Sequence, residues 1–515
     1  LIDLGIVILY FIVIFLTAIS ERQGQELTSE AYFLSSRKLR WPSIALSTIA
    51  TNIQGYQFLG MMGSAYLYGL AQASLEINAI QGILLAAFIF VPMYLKEQVV
   101  TITQFLRKRL GATVALCYSL ASLLMFSTIT LGAALFWGAY AAELVFADYF
   151  TFISPDRITR IVVLILGLGI FSAIYTWFGG LSAVVRTDVI QFGILLMGGL
   201  TVLAVAIYQL GGWSMLYQKT PELMQLHLPA DHPTLPWIHI FGLFLLNINY
   251  WCADQTVMQR SLAAKNLREA QIGLMVGGVL KYVMAVVIVV PGIALAGILE
   301  GGQLPEPDMA FPYLVANYLP TGVKGLILCA LFASLMSTVD STFNSLATLW
   351  SVDIYKGYLR QHATDAQVVA AGRNTIVLTL ITGVTMGFVL LYIKFANPGT
   401  AFTHTLNELR YYINCGIVVL ICSAGFMISP NHKLALFVFL FTIPLHLIIL
   451  FCFPGMNYFV RAMWVILIGL SIVSISAWRH GWQHWRDLIR YDSPEVAQVG
   501  IGLLTSLAVL HLVFH

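Results

Sequence analysis

The sequence predicts an all-α polytopic membrane protein with about fourteen transmembrane helices. Three observations carry that expectation. First, 59% of the 515 residues are hydrophobic and only 10% are charged, against about 25% charged in soluble domains. Second, apolar stretches of roughly the 20 residues needed to cross a bilayer recur from end to end. Third, several stretches hold amides, glycines and carboxylates at mid-depth, where each polar group needs a partner.

In order, spans are expected near 2–19, 44–66, 71–94, 113–146, 160–177, 181–210, 237–258, 269–299, 322–351, 368–392, 398–428, 434–451, 458–478 and 496–514. The first is too long and too uniformly apolar to be a signal-peptide core. The 113–146 stretch counts as one span, although its length admits two short ones. With the first span starting outside, most loop Lys and Arg fall inside, among them Arg22, Arg37, Lys38, Arg40, Arg107, Arg260, Arg373 and Arg479. Both termini then face outward. The outer loops Gly211–Trp237 and Glu300–Thr321 hold short amphipathic pieces but no separate soluble domain, so residues 1–515 form one membrane domain.

Two stretches predict interrupted helices. Thr48–Gly63 (TIATNIQGYQFLGMMG) mixes Asn52, Gln54 and Gln57 with three glycines. A broken helix would free carbonyls for a cation, whereas an intact one would use small residues for close packing. Leu246–Gln259 (LNINYWCADQTVMQ) is the second, five spans later, crowding Asn247, Asn249, Tyr250 and Trp251 mid-span. Paired interruptions in corresponding halves point to a carrier site at the bilayer midplane.

Ionisable residues at membrane depth normally face a cavity or a partner. Glu76, Lys281, Asp188 and Asp340 are such residues, and Glu408 and Arg410 are too close in sequence to pair across one helix face. Asp188 also admits a capping or interfacial role. In Phe332–Ser345 (FASLMSTVDSTFNS), Ser337, Asp340, Ser341 and Asn344 share a helical face. Hydroxyl and carboxylate oxygens suit a hard, weakly held cation, and sodium is the natural choice. The small net charge of +3 gives no reason to expect nucleic acid. No CxxC pair suggests zinc or a disulfide framework, and no HExxH, GxSxG or paired catalytic set indicates an enzyme.

Four stretches resemble a known family: ATNIQGYQFLGMMGSAYLYGLA, YTWFGGLSAVVRTDVIQ, NYWCADQTVMQRSLAAKNLREAQ and LFASLMSTVDSTFNSLATLWSVDIYK. They are similar to the sodium–solute symporters, in the sodium–glucose cotransporter branch, and most of all to its bacterial galactose carriers. The likeness runs from about Glu30 to Gly425. It implies the inverted five-helix repeat of the leucine-transporter fold, with repeats at 41–210 and 237–428, an extra helix at 1–20 and three helices at 433–515. It implies sodium-driven import of a hexose-like sugar by alternating access, in the bilayer of a bacterial inner membrane. Sodium would be held by the carbonyls of Ala50, Ile53 and Ser334 and the side chains of Ser337 and Thr338. Gln57, Glu76, Asn247, Lys281 and Asn407 would meet the sugar, with Tyr250 stacking on it. A second sodium position, known in some members, falls on Asp188, Asp340 and Ser341, where the added carboxylate strengthens the site or holds a proton. Ala79 and Leu75 depart from the galactose carriers' serine and aromatic, and Arg410 is unusual. Those departures leave open a sugar acid, inositol or another polyol as solute. A sensor or channel using the same pocket without accumulation is the alternative of another class.

Overall fold

A computed structural model describes residues 2–20, 28–300, 304–396, 402–477 and 481–514. Arg22 and Arg479 of the loop count, residues 301–303 of the second outer loop and the first residues of the 398–428 span lie outside the described residues. Apart from three isolated bridges, the described residues form helices and turns. Among the described residues, eleven helical stretches are long and apolar enough to cross a membrane. The two interrupted segments and one sharp bend account for the difference from the sequence expectation. Ala112–Phe150 is a single run of 39 residues, because a π-helical turn at Phe126–Thr130 carries the chain through without a break. The amphipathic outer pieces form short helices, Trp213–Lys219 and Ala310–Tyr318.

The hydroxyl-rich helix Val323–Thr348 is the axis of the molecule. The most apolar window of its stretch is 94% buried, against 28% for Ile2–Ile19 and His432–Cys452, so the latter two form part of the rim. There Phe437, Leu440, Leu447 and Ile448 are exposed. In water that patch would be a liability; against lipid it is the expected surface. The start of the central helix is capped by an acid from the first span: Asp3 Oδ1 accepts from Gly322 N (2.8 Å) and Gly325 N (2.6 Å), where carboxylate charge is favoured.

The long run Arg157–Leu210 packs along the central helix and bends at Gly180 (φ 56°, ψ −149°). The bend frees the carbonyls of Thr176 and Trp177, and Tyr32 Oη donates to both, at 3.2 and 3.1 Å. Arg373, expected in an inner loop, donates from Nε to the Trp177 carbonyl at 3.0 Å and lies over the Trp177 ring. A Cβ at position 180 would fall 2.4 Å from the Tyr32 carbonyl oxygen. Both the positive φ and the close approach therefore require glycine. Gly180→Ala is expected to destabilise the protein by at least ~1–2 kcal/mol, read as a lowered melting temperature in detergent. An unchanged melting temperature would show that the bend tolerates a side chain.

Candidate functional site

The first interruption lies where the sequence places it. Helix Trp41–Asn52 ends at Ile53, whose backbone is extended (φ −82°, ψ 109°), and the chain resumes helical form as a π-helical turn at Gln57–Met61. The last ladder bond of the first half runs from Ile53 N to Ile49 O (3.0 Å). The next N–H, of Gln54, turns to Gln57 Oε1 (2.5 Å) instead of the carbonyl of Ala50. The central helix supplies hydroxyls to this break. Ser334 Oγ donates to the Ile53 carbonyl (2.8 Å), and Thr338 Oγ1 to that of Thr51 (3.1 Å). Ala50, Ile53, Ser334, Ser337 and Thr338 are all buried. At the break, the Thr51 and Ile53 carbonyls and the Ser334 and Thr338 hydroxyls bring together oxygens of the kind a hard cation takes.

Ser337 points elsewhere: its hydroxyl donates to Asp188 Oδ1 at 2.5 Å. Asp188 is fully buried and also accepts from Ser47 Oγ (2.5 Å). Its counter-charge is Arg260, at 3.1 Å. This corrects the expectation for Arg260, which is buried rather than in a loop. Its guanidinium is hydrogen-bonded to Ser47 (2.8 Å), Thr51 (2.8 Å), Ser341 and the carbonyl of Thr256. The second acid, Asp340, accepts from the hydroxyl of Tyr175 and lies 3.5 Å from Ser341 Oγ. So the three residues expected around a second ion do converge, with an arginine of the protein's own already among two of them. Ser47 and Thr51, both on Trp41–Asn52, join this cluster to the broken helix.

The second interruption behaves differently. A π-helical turn at Asn249–Ala253 ends at extended Asp254 (φ −77°, ψ 118°), which caps the next helix, Gln255–Leu262, through Thr256 N (2.8 Å). Its freed carbonyls are not left for an ion. Tyr94 Oη donates to Cys252 O and Tyr118 Oη to Ala253 O, both at 2.7 Å.

Between the two breaks lies a cavity of about 550 Å³, lined by Gln57, Glu76, Asn247, Tyr250, Lys281 and Asn407 among others. Lys281 is paired with Glu76, from 205 residues away in sequence, and donates to Asn52 Oδ1 at 2.5 Å. Glu76 Oε1 accepts from Gln57 Nε2 (2.7 Å), and Asn52 Nδ2 donates to Tyr250 Oη (3.0 Å). One continuous chain of hydrogen bonds thus joins the broken helix to the residues expected to meet a solute. Asn247 stands apart from it, its Nδ2 on the carbonyl of Asn78 (3.1 Å). Asn52 is the member that sequence reasoning did not assign, although its place at the end of the first half-helix marks it. Thr51 and Thr338 also line this cavity, so the oxygen pocket and the solute space share a wall. Glu408 is paired with Arg461 (2.9 Å), and Arg410 lines the cavity separately.

Two interrupted helices packed on a hydroxyl-rich central helix, around one polar cavity, define a membrane carrier for a polar solute. Residues 32–402, well over half of the chain, match the family model of the sodium:solute symporter family, and the chain belongs to that family. It is similar to the sodium/glucose cotransporter of Vibrio parahaemolyticus, 29% identical over 484 residues that cover 89% of this chain and 86% of the relative. It is also similar to sodium/myo-inositol cotransporter 2 of Oryctolagus cuniculus, 30% identical over 419 residues, 74% of this chain and 60% of the relative. The fold is that of a solved Na⁺-coupled sialic acid symporter in a substrate-bound outward-open state, with a TM-score of 0.79 at 19% identity over 93% of this chain and 98% of that one. The protein is therefore an integral membrane transporter coupled to sodium, and not an enzyme.

Lys281→Ala would leave Glu76 buried without its counter-charge. It is expected to cost ~3–5 kcal/mol, and Glu76→Gln added to it should recover most of that loss in a thermal-unfolding cycle. Equal and additive losses from the two substitutions would show that the pair is not coupled.

Proposed function

We propose that this chain is a sodium-driven symporter that imports a hexose-like sugar, or else a sugar acid, inositol or another polyol, by alternating access. One observation carries the reading: Thr51 and Thr338, which meet at the broken helix, also line the solute cavity. An ion that draws the break against the central helix then reshapes the wall the solute touches. A ligand shifts such an equilibrium only through its different affinity for the two states. The glucose and myo-inositol carriers among the similar proteins support a polyhydroxylated solute. Amides, a carboxylate–ammonium pair and the face of Tyr250 suit ring hydroxyls and the apolar C–H side of a sugar. A solute without those hydroxyls would leave site groups unpaired and be rejected.

In this reading the coupling sodium is held by the carbonyls of Ala50, Ile53 and Ser334 with the side chains of Ser337 and Thr338. Ser337 leaves Asp188 to join it. A second sodium would sit among Asp188, Asp340 and Ser341 once Arg260 withdraws. Counting the two halves on either side of Gly180, the helix Trp41–Tyr68 and the helix His239–Leu262 separately gives fourteen crossings. They form repeats at 41–210 and 237–428, with residues 1–20 before and 433–515 after. Both termini face outward, and the setting is a bacterial inner membrane. One sodium charge supplies roughly 2.3 kcal/mol per 100 mV and about 1.4 kcal/mol per tenfold sodium ratio, enough for solute accumulation on the order of several hundredfold.

The double variant Ser337→Ala, Thr338→Ala is expected to abolish sodium-stimulated uptake of labelled glucose, galactose or inositol in proteoliposomes. Uptake that persists at wild-type sodium affinity would remove these residues from the ion site. Sodium current without solute accumulation in the wild type would favour a sensor or channel instead.

A further inference from the structure

We propose that the solute carries a carboxylate and that Arg410 receives it, so that the transported compound is a sugar acid rather than a neutral sugar. This rests on the symport reading above and names the solute class of the same cavity. Arg410 projects from helix Phe402–Phe426 into the cavity wall, beside Asn407 and Asn414. It makes no hydrogen bond and no ion pair with any described residue, and its Nε is buried without a partner. Asn414 Oδ1 is likewise buried and unpartnered.

Among the described residues, four buried cations are matched by an acid, whereas buried Lys394 is not. Lys281 has Glu76, Arg260 has Asp188, Arg160 has Glu143 and Arg461 has Glu408. Of the two acids near Arg410, one has another cation as partner and the other makes no ion pair with it. Glu408 belongs to Arg461, and Asp254, whose charge acts on Arg410 across the cavity, accepts at Oδ1 from the N–H and hydroxyl of Thr256, at 2.8 and 2.5 Å. Lys394, the other cavity cation without an ion pair, sits at the end of its helix with Asp308 in range of its charge.

A guanidinium held at membrane depth without a counter-ion is costly, and an anion arriving with the solute removes that cost. A carboxylate matches the flat two-donor edge of the guanidinium. At the other end of the cavity the hydrogen bonds among Asn52, Gln57, Glu76 and Lys281 close on themselves. Sugar hydroxyls can exchange into that network without adding charge. The pair Lys281–Glu76 is neutral overall, so it neither attracts nor repels an anion. Asp254, Glu306, Asp308 and Lys394 also line the cavity, but Arg410 is the one arginine among the lining residues, and so the one forked donor offered to a carboxylate there.

The test uses the full chain in detergent and in liposomes, with D-glucuronate and D-galacturonate against D-glucose, D-galactose and D-glucose 6-phosphate, in sodium and in choline. The expected result is binding of at least one uronate about 10- to 100-fold tighter than its neutral hexose in sodium. Arg410→Gln should erase that preference, and Arg410→Lys, which keeps charge but not the fork, should retain part of it. The wild-type comparison decides alone if Arg410→Gln does not elute as a single species. A neutral hexose bound as well as its uronate, a preference surviving in Arg410→Gln, or tighter binding of the phosphate would each overturn the proposal. If neutral sugars accumulate with sodium while uronates do not, the symport reading stands and only the carboxylate falls. If no compound of either kind binds in sodium, both fall together.

Discussion

The structure depends on one constraint: a helix that stops at Ile53, inside the membrane, must have its stranded backbone oxygens met by something other than water. The central helix meets them with Ser334 and Thr338. A hydroxyl is a replaceable partner. It donates while the pocket holds no ion and turns its lone pairs inward when a cation arrives. The same residues that make a broken helix tolerable in the bilayer therefore make it responsive, and no thiolate or imidazole cluster is needed among them.

Charge is handled in a similar way. Buried ion pairs seldom add stability over apolar packing, so their number at the heart of this fold needs a reason beyond stability. Lys281 with Glu76 stiffens one wall of the solute space, and Arg260 with Asp188 ties Ser47 and Thr51 of the broken helix to Ser341 of the central one. Ser337 sits on the central helix beside Thr338 and donates to Asp188. A cation that recruits Ser337 must loosen its bond to that acid. A local event at the break is thereby felt by the arginine cluster, through contacts that are all within hydrogen-bond reach.

Much of this was legible in the residues. Amides crowded into apolar runs, with glycines in the first, pointed to both breaks, although close helix packing was an alternative for the first. Lys281 was identifiable as functional since a lone mid-span lysine is poor packing. Its partner was not, because Glu76 lies 205 residues away and sequence gives no distance between helices. Arg260 was misplaced for a definite reason: counting positive charges assigns any arginine after an interrupted helix to the next loop, and the shortened half-helix Gln255–Leu262 keeps it inside. The one-span character of Ala112–Phe150 rested on a π-helical turn, which has no compositional mark. Nothing in the sequence singles out Tyr94 and Tyr118, and only the fold shows that their hydroxyls end on Cys252 and Ala253.

Those two tyrosines separate the roles of the breaks. Phenol hydroxyls held on long, packed rings have little freedom to turn away, and both rings are fully buried. The oxygens of the second break are therefore spoken for, whatever ion is present, while those of the first face small hydroxyls on a neighbouring helix. An ion arriving from either side finds one site of exchangeable oxygen and one that is sealed. The second break is then a fixed bend that presents Asn247 and Tyr250 to the cavity. At the first, Asn52 links the end of the half-helix to Tyr250 on one side and Lys281 on the other, so the proposed ion site and the solute cavity are joined there.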